Sequence, residues 1–291
     1  MKREKIFLIV GSGGLNYIKK HKNYFKKEFG IIFYNLLDKK QKNKVDLNEY
    51  ESIYSKVFFT DFSDSKKIFK TILEFRDDVV AVNTYGDAGV KFLKKVVPFF
   101  PKLKLPTESS LKWANNKNLM REFFSVFDKT ITPKFLVIEE YDKEKITEIE
   151  KKVGYPLILK PTNMASSQMV TKCYHRDELE STLKNIFKKG NFLQTLRADF
   201  FDKKDFKGIK VVAEEFMEGK MYSVDGIVNE KGDFIVYPPV HVKTGKEIGF
   251  DDFFGYRRTL PTLLKEDAIE EINILVDKIL NSLSLVILIF I

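Results

Sequence analysis

Four short apolar runs open the chain: Ile6 to Val10, Ile31 to Leu37, Val57 to Thr60 and Val79 to Asn83. Helical stretches lie among them, through Lys27 and again over Gly89 to Val97. Strands that alternate with helices argue for a parallel sheet with crossovers, the α/β class. This first unit closes on a proline-bearing connector, Pro98 to Pro106, and its expected span is 1–108.

The pattern then changes. Leu119, Met120, Phe123, Phe124 and Phe127 recur at helical spacing until Pro133, and Lys134 to Ile138 reads as a strand. Ile146, Ile149 and Val153 mark a helix that Gly154 ends. A strand up to Lys160, a small polar loop, a strand from Met169 to Cys173 and a helix with Leu179, Leu183, Ile186 and Phe187 complete an α+β lobe over 109–190. A third segment, 191–291, follows the polar stretch Asn191 to Lys207. It holds a strand from Ile209 to Phe216, a hairpin pairing Met221 to Val228 with Phe234 to Pro238, and a last helix with Ile269, Ile272, Leu275, Val276 and Ile279 on one face.

Composition narrows the function classes. The 291 residues are 44% hydrophobic and 31% charged, which describes a soluble globular chain. The net charge of +9, from 50 basic and 41 acidic side chains, suits a phosphate-rich small ligand. No dense Arg/Lys stripe interleaved with aromatics is present, so nucleic acid is not the expected partner. A single cysteine, Cys173, makes an intrachain disulfide impossible, and His21, His175 and His241 do not cluster into a zinc site. The N-terminal apolar run is too short for a signal peptide. The apolar run Leu285 to Ile291 is far below the ~20 residues of a membrane span. A cytoplasmic protein is expected, and an oligomer is compatible with this composition.

The segment Tyr155-Pro156-Leu157-Ile158-Leu159-Lys160-Pro161 carries the most chemistry. A buried strand delivers one lysine, a proline stops it, and Ala165-Ser166-Ser167 follow. Such a lysine neutralises phosphate, and small loop residues let backbone N–H groups approach it. The alternative is a structural salt bridge. Val211 to Gly219 is a buried strand ending in Glu214 and Glu215, either an adenine-and-ribose rim or a strand end with solvated acids. Lys243 and Lys246 flank a glycine turn and either reach a terminal phosphate or are exposed. His241 reads as structural. Arg257-Arg258 offer anion contacts or ion pairs with Asp251 and Asp252. Gly11-Ser12-Gly13-Gly14 departs from a dinucleotide fingerprint at Asn16, which favours an ordinary strand-to-helix turn over a phosphate or nicotinamide site.

Taken in order, these segments resemble the ATP-grasp superfamily of ATP-dependent carboxylate–amine ligases. Asn115-Asn116-Lys117-Asn118-Leu119-Met120-Arg121 looks like that family's first ATP lysine, and Lys160 like its second. Ala165 to Val170 resembles its flexible loop, and Glu214-Glu215-Phe216-Met217-Glu218-Gly219 its adenine hinge. The resemblance implies an N-terminal parallel-sheet domain followed by two α+β lobes. It implies ATP phosphates on Lys117 and Lys160, Ser166 and Ser167 over the terminal phosphate, and backbone groups of Glu215, Phe216 and Met217 at the adenine, with Glu214 near its amine. Lys243 matches a later phosphate lysine and is the residue assigned to catalysis. Met221 stands where many members place a ribose-binding glutamate, and Met169 where the loop has glycine.

The implied chemistry makes an acyl phosphate from a small carboxylate and then joins it to an amine or similar nucleophile. The family also uses Mg2+, held by a Glu and a Glu-x-Asn pair. No carboxylate follows Asp277. The expectation is therefore a second lobe that is incomplete, C-terminally truncated or altered by a frameshift, with weak or metal-poor ATP binding and little turnover. The alternative is a non-catalytic nucleotide-sensing or partner-binding module that docks through its apolar tail.

Overall fold

The computed structural model describes residues 4–162, 170–196, 210–229, 233–250, 252 and 254–282. Among the residues singled out above, Ala165, Ser166, Ser167, Met169, Lys207, Ile209, Asp251 and the run Leu285 to Ile291 lie outside the described residues. The chain divides into two compact units, Met1–Asn115 and Asn116–Ile291.

The first unit contains β1 (Lys5–Val10), α1 (Leu15–Phe29), β2 (Ile31–Asp38), α2 (Leu47–Ile53), β3 (Lys56–Thr60), α3 (Ser65–Ile72), β4 (Val79–Thr84), α4 (Asp87–Val96) and α5 (Glu108–Ala114). Its strands pair in parallel in the order β3-β2-β1-β4. Both sheet faces are covered, which is why β1 and β2 read as unbroken apolar runs. Leu8, Val10, Tyr34 and Leu36 pack with α3 and α4 on one side. Ile9, Phe33 and Leu37 pack with Ile18 of α1 and Tyr50 and Ile53 of α2 on the other.

The glycine turn after β1 is built for packing. Fully buried Asn35 donates from Nδ2 to the carbonyls of Ile9 and Gly11, at 3.0 Å each. Gly14 has φ 78°, and a β carbon there would clash with the Tyr85 ring. Glycine is needed for the left-handed turn and for the close ring, and the strand-to-helix reading accounts for it.

The second unit contains α6 (Lys117–Phe127), β5 (Phe135–Ile138), α7 (Lys143–Lys152), β6 (Leu157–Pro161), β7 (Thr171–Cys173) and α8 (Arg176–Leu196). There follow β8 (Val211–Glu215), β9 (Met221–Ser223), β10 (Gly226–Val228), β11 (Phe234–Val236), β12 (Val240–Thr244), α9 (Gly245–Ile248), β13 (Gly255–Thr259) and α10 (Glu266–Ser282). An antiparallel sheet runs β5-β8-β6-β7, so β8 from the third sequence segment completes the sheet of the second. One face of it, with Ile138, Leu157, Leu159, Cys173, Val211 and Ala213, is sealed by α7 and α8 through Ile146, Ile149, Leu179 and Leu183.

The hairpin differs from its sequence reading. Only β10 pairs with β11. The first half of the expected strand, β9, instead pairs with β12 in the sheet β13-β12-β9. The run breaks at Val224-Asp225, where the Asp225 carbonyl accepts from the Tyr237 N–H. That frees β9 to join another sheet. α6 packs with α10 around Phe124, Ile131 and Ile279, and Lys278 donates to Asp128 at 2.9 Å. Among the described residues, no helix is long and apolar enough to cross a membrane.

Candidate functional site

Strand pleating sets which side chains share a face. Lys160 pairs with Val212, and Val212 with Val137; Ile158 pairs with Glu214 and with Lys172. Cross-strand partners point the same way, so Lys160, Glu214 and Lys172 lie on the face opposite the α7–α8 core. The alternation of Leu157, Leu159 and Cys173 inward thus delivers the charged residues outward.

Glu214 is the hub of this face. It is 4% exposed, so the solvated-acid reading does not hold for it. Lys160 Nζ donates to its Oε2 at 2.7 Å. Arg121 donates from Nε to Oε1 at 3.1 Å and from Nη2 to Oε2 at 3.3 Å. A third Arg121 nitrogen, Nη1, donates to Thr132 Oγ1 at 3.4 Å. Such a two-pronged grip fixes the carboxylate plane. Arg121 is placed by α6, whose N-cap Asn116 accepts from the Asn118 and Leu119 N–H groups. Lys117 opens that helix four residues earlier, on the same side.

Burial pulls the Lys160 ammonium below the ordinary lysine range. Glu214 opposes the fall, while the positive charges of Arg121 and Lys117 add to it. The structure therefore brings Lys117, Lys160 and Glu214 into one electrostatic group and adds Arg121. Sequence reasoning quoted Arg121 within a motif but gave it no role. The signal was available as the i, i+4 spacing from Lys117.

Beyond Glu214 the chain is tied to two neighbouring segments. The Glu215 N–H donates to the Lys134 carbonyl at 3.0 Å, and its Oε1 accepts from the Lys134 N–H at 2.9 Å. The Phe216 N–H donates to the Pro156 carbonyl at 3.1 Å. Lys172 Nζ sits 3.3 Å from the Phe216 ring centroid, a close cation–π contact that composition could not reveal. Met217 is 63% exposed.

Lys243 and Met221 belong to the other sheet. Lys243 pairs across strands with Arg257, and Met221 with Val242. Among the described residues, no hydrogen bond or ion pair links either of them to Lys160 or Glu214. His241 stacks its ring 5.2 Å from Tyr222, and its Nε2 is buried without a partner. Asp252 accepts from the Tyr256 hydroxyl and the Phe254 N–H, at 2.9 Å each, rather than pairing with Arg257 or Arg258.

A cavity of about 440 Å3 is lined by residues that include Asn118, Glu122, Val137, Glu139, Lys145 and Lys210, and neither Lys160 nor Glu214 is among them. Among the described residues, no group of three or more His, Cys, Asp or Glu side chains is arranged to hold a metal ion.

Comparison with known proteins agrees with this architecture. The ATP-grasp domain profile matches residues 153–288. A D-alanine–D-alanine ligase from Fervidobacterium nodosum is 29% identical over 158 residues, 52% of this chain and 44% of that enzyme. Two solved structures share the fold. The L-amino acid ligase from Bacillus licheniformis superposes with a TM-score of 0.67 at 16% identity, covering 98% of this chain and 63% of that one. The N5-carboxyaminoimidazole synthetase from Staphylococcus aureus, complexed with ADP, gives 0.66 at 14% identity, covering 97% and 64%. The chain thus spans less than two thirds of the length of these three proteins. Its fold, a parallel α/β sheet followed by antiparallel sheets, is that of the two solved structures. Residues 153–288 therefore match the ATP-grasp domain, and the chain as a whole shares the fold of these two solved structures.

Proposed function

We propose that the unit Asn116–Ile291 binds ATP on the Lys160 face of the β5-β8-β6-β7 sheet, in a protein that joins a carboxylate to an amine. The observation that carries this reading is the charge balance at one buried point. Lys160 and Arg121 both hold the buried Glu214 carboxylate, and Lys117 is near enough for its charge to act on Lys160. Clustered cations in a place largely shielded from water attract a polyphosphate. Lys117 and Lys160 are assigned to its phosphates, and Ser166 and Ser167 to the terminal one. The adenine lies at the hinge. There the N–H groups of Glu215 and Phe216 are already used, which leaves the Met217 N–H and backbone carbonyls to read the base edge.

In the reaction, a carboxylate oxygen of one substrate attacks the terminal phosphorus, the bridging P–O bond breaks and ADP leaves. The amine nitrogen of the second substrate then attacks the acyl carbon, loses a proton and expels phosphate. Lys160 holds charge that moves during the first step, and Lys243 is assigned to the transferred group. Isothermal titration with ATP, ADP and NADH tests the assignment. Saturable binding of ATP and ADP, but not NADH, is expected. No heat with ATP at millimolar concentration would overturn it.

Met221, 46% exposed, offers a ribose only a weak thioether acceptor at the start of β9. 2′-Deoxy-ATP is therefore expected to bind within about twofold of ATP, because no ribose hydroxyl loses a charged partner. Competition calorimetry measures the ratio. A tenfold preference for ATP would show that another group reads the ribose.

A further inference from the structure

Glu214 and a nucleotide phosphate would compete for the charge and position of the Lys160 ammonium. The ammonium is 2.7 Å from Glu214 Oε2, and this carboxylate is 4% exposed. If Lys160 were its only partner, any swing of the lysine toward a ligand would leave a buried carboxylate uncompensated, which is strongly unfavourable. The structure supplies a second partner. Arg121 reaches both Glu214 oxygens and is itself steadied by Thr132. The side chains of Arg121 and Lys160 are 15% and 20% exposed, so water replaces neither fully.

We infer that Arg121 is a positioning residue: it is the standing counterion of Glu214, and it thereby frees Lys160 to exchange between Glu214 and a nucleotide phosphate. The inference rests on the ATP reading above and deepens it. Arg121 acts through the carboxylate rather than by touching phosphate. Without its guanidinium, Glu214 and Lys160 become a closed one-to-one pair, and the phosphates must compete with a buried carboxylate for the lysine. A lysine at 121 keeps the charge but loses the fork, so it restores only part of the effect.

The test titrates ATP and adenosine into the intact chain and into R121Q, R121K, E214Q and the double variant R121Q/E214Q. R121Q is expected to weaken ATP about tenfold or more. Adenosine, which carries no phosphate, should change by no more than about twofold, a split that general loosening of the fold would not give. R121K should fall between R121Q and the unmodified chain. Adding R121Q to E214Q should cost little more, because the carboxylate it restrains is gone. Equal losses in both backgrounds would make Arg121 a direct phosphate ligand and overturn the inference.

A second measurement does not depend on ATP. Trace acetylation at a series of pH values, read at Lys160 by mass spectrometry, reports its protonation directly. Removing the nearby guanidinium in R121Q should move the Lys160 titration upward; an unmoved titration would sink the coupling. Absence of ATP binding in the unmodified chain would instead remove the nucleotide reading, with the acetylation result still deciding what Arg121 does to Lys160. Circular dichroism melts identify a variant that fails to fold, and R121K then carries the comparison.

Discussion

Glu214→Ala is expected to cost the second unit about 3 kcal/mol, the lower end of the ~3–5 kcal/mol for breaking a buried ion pair from one side. The lower end applies because Arg121 and Lys160 retain 15% and 20% of their side-chain exposure, so water recovers part of the loss. What remains after the change is a guanidinium beside an ammonium, with Thr132 Oγ1 as the nearest surviving acceptor of Arg121. Lys160 is already below the ordinary lysine range through burial and its cationic neighbours, and Glu214 is the group that opposes this. Its removal pushes Lys160 lower still.

The sign of the pH effect follows. Between the folded and unfolded pKa values of Lys160, the unfolded chain binds more protons, so stability rises with pH. The deficit of Glu214→Ala should therefore shrink as pH is raised, whereas Glu214→Gln, which keeps an acceptor, should start with a smaller deficit. Urea unfolding, followed by hydrogen exchange at the amides of β6 and β8 and repeated at rising pH, measures both. A Glu214→Ala chain as stable as the unmodified one would mean that the triad contributes nothing to the fold.

The same triad shows where sequence reasoning stops. The parallel sheet of the first unit was legible because both its faces are buried, so β1 and β2 announce themselves as apolar runs. Lys160 was legible because Leu157 and Leu159 alternate with it on a strand closed by Pro161. The role of Arg121 was not, because its partner Glu214 lies 93 positions away and no local rule joins them. Glu214 and Glu215 look equivalent in sequence. One is the buried centre of the site, and the other ties β8 back to Lys134. The strand over Met221 to Val228 was misread for a related reason. Its hydrophobic pattern is continuous, but β9 finds β12 and β10 finds β11, and partner choice is a tertiary property.

Lys160→Ala should lower ATP affinity by roughly 10- to 100-fold, the equivalent of losing charge-assisted hydrogen bonds worth about 1.5–3 kcal/mol. The loss should be smaller for ADP if Lys160 spans toward the terminal phosphate, and near zero for adenosine. Stability should change far less than in Glu214→Ala, because Arg121 still satisfies both Glu214 oxygens. The unmodified chain gives an independent check through pH. A phosphate favours the protonated lysine, so ATP affinity must fall as pH rises through the Lys160 pKa of the free protein. Burial has moved that pKa down, with Arg121 and Lys117 contributing. The fall should therefore begin below the range in which ordinary lysines lose their protons. It should approach tenfold per pH unit and be absent in Lys160→Ala. An affinity profile that stays flat to the ordinary lysine range, or one that Lys160→Ala leaves unchanged, would take Lys160 out of the site and leave it as the partner of Glu214 alone.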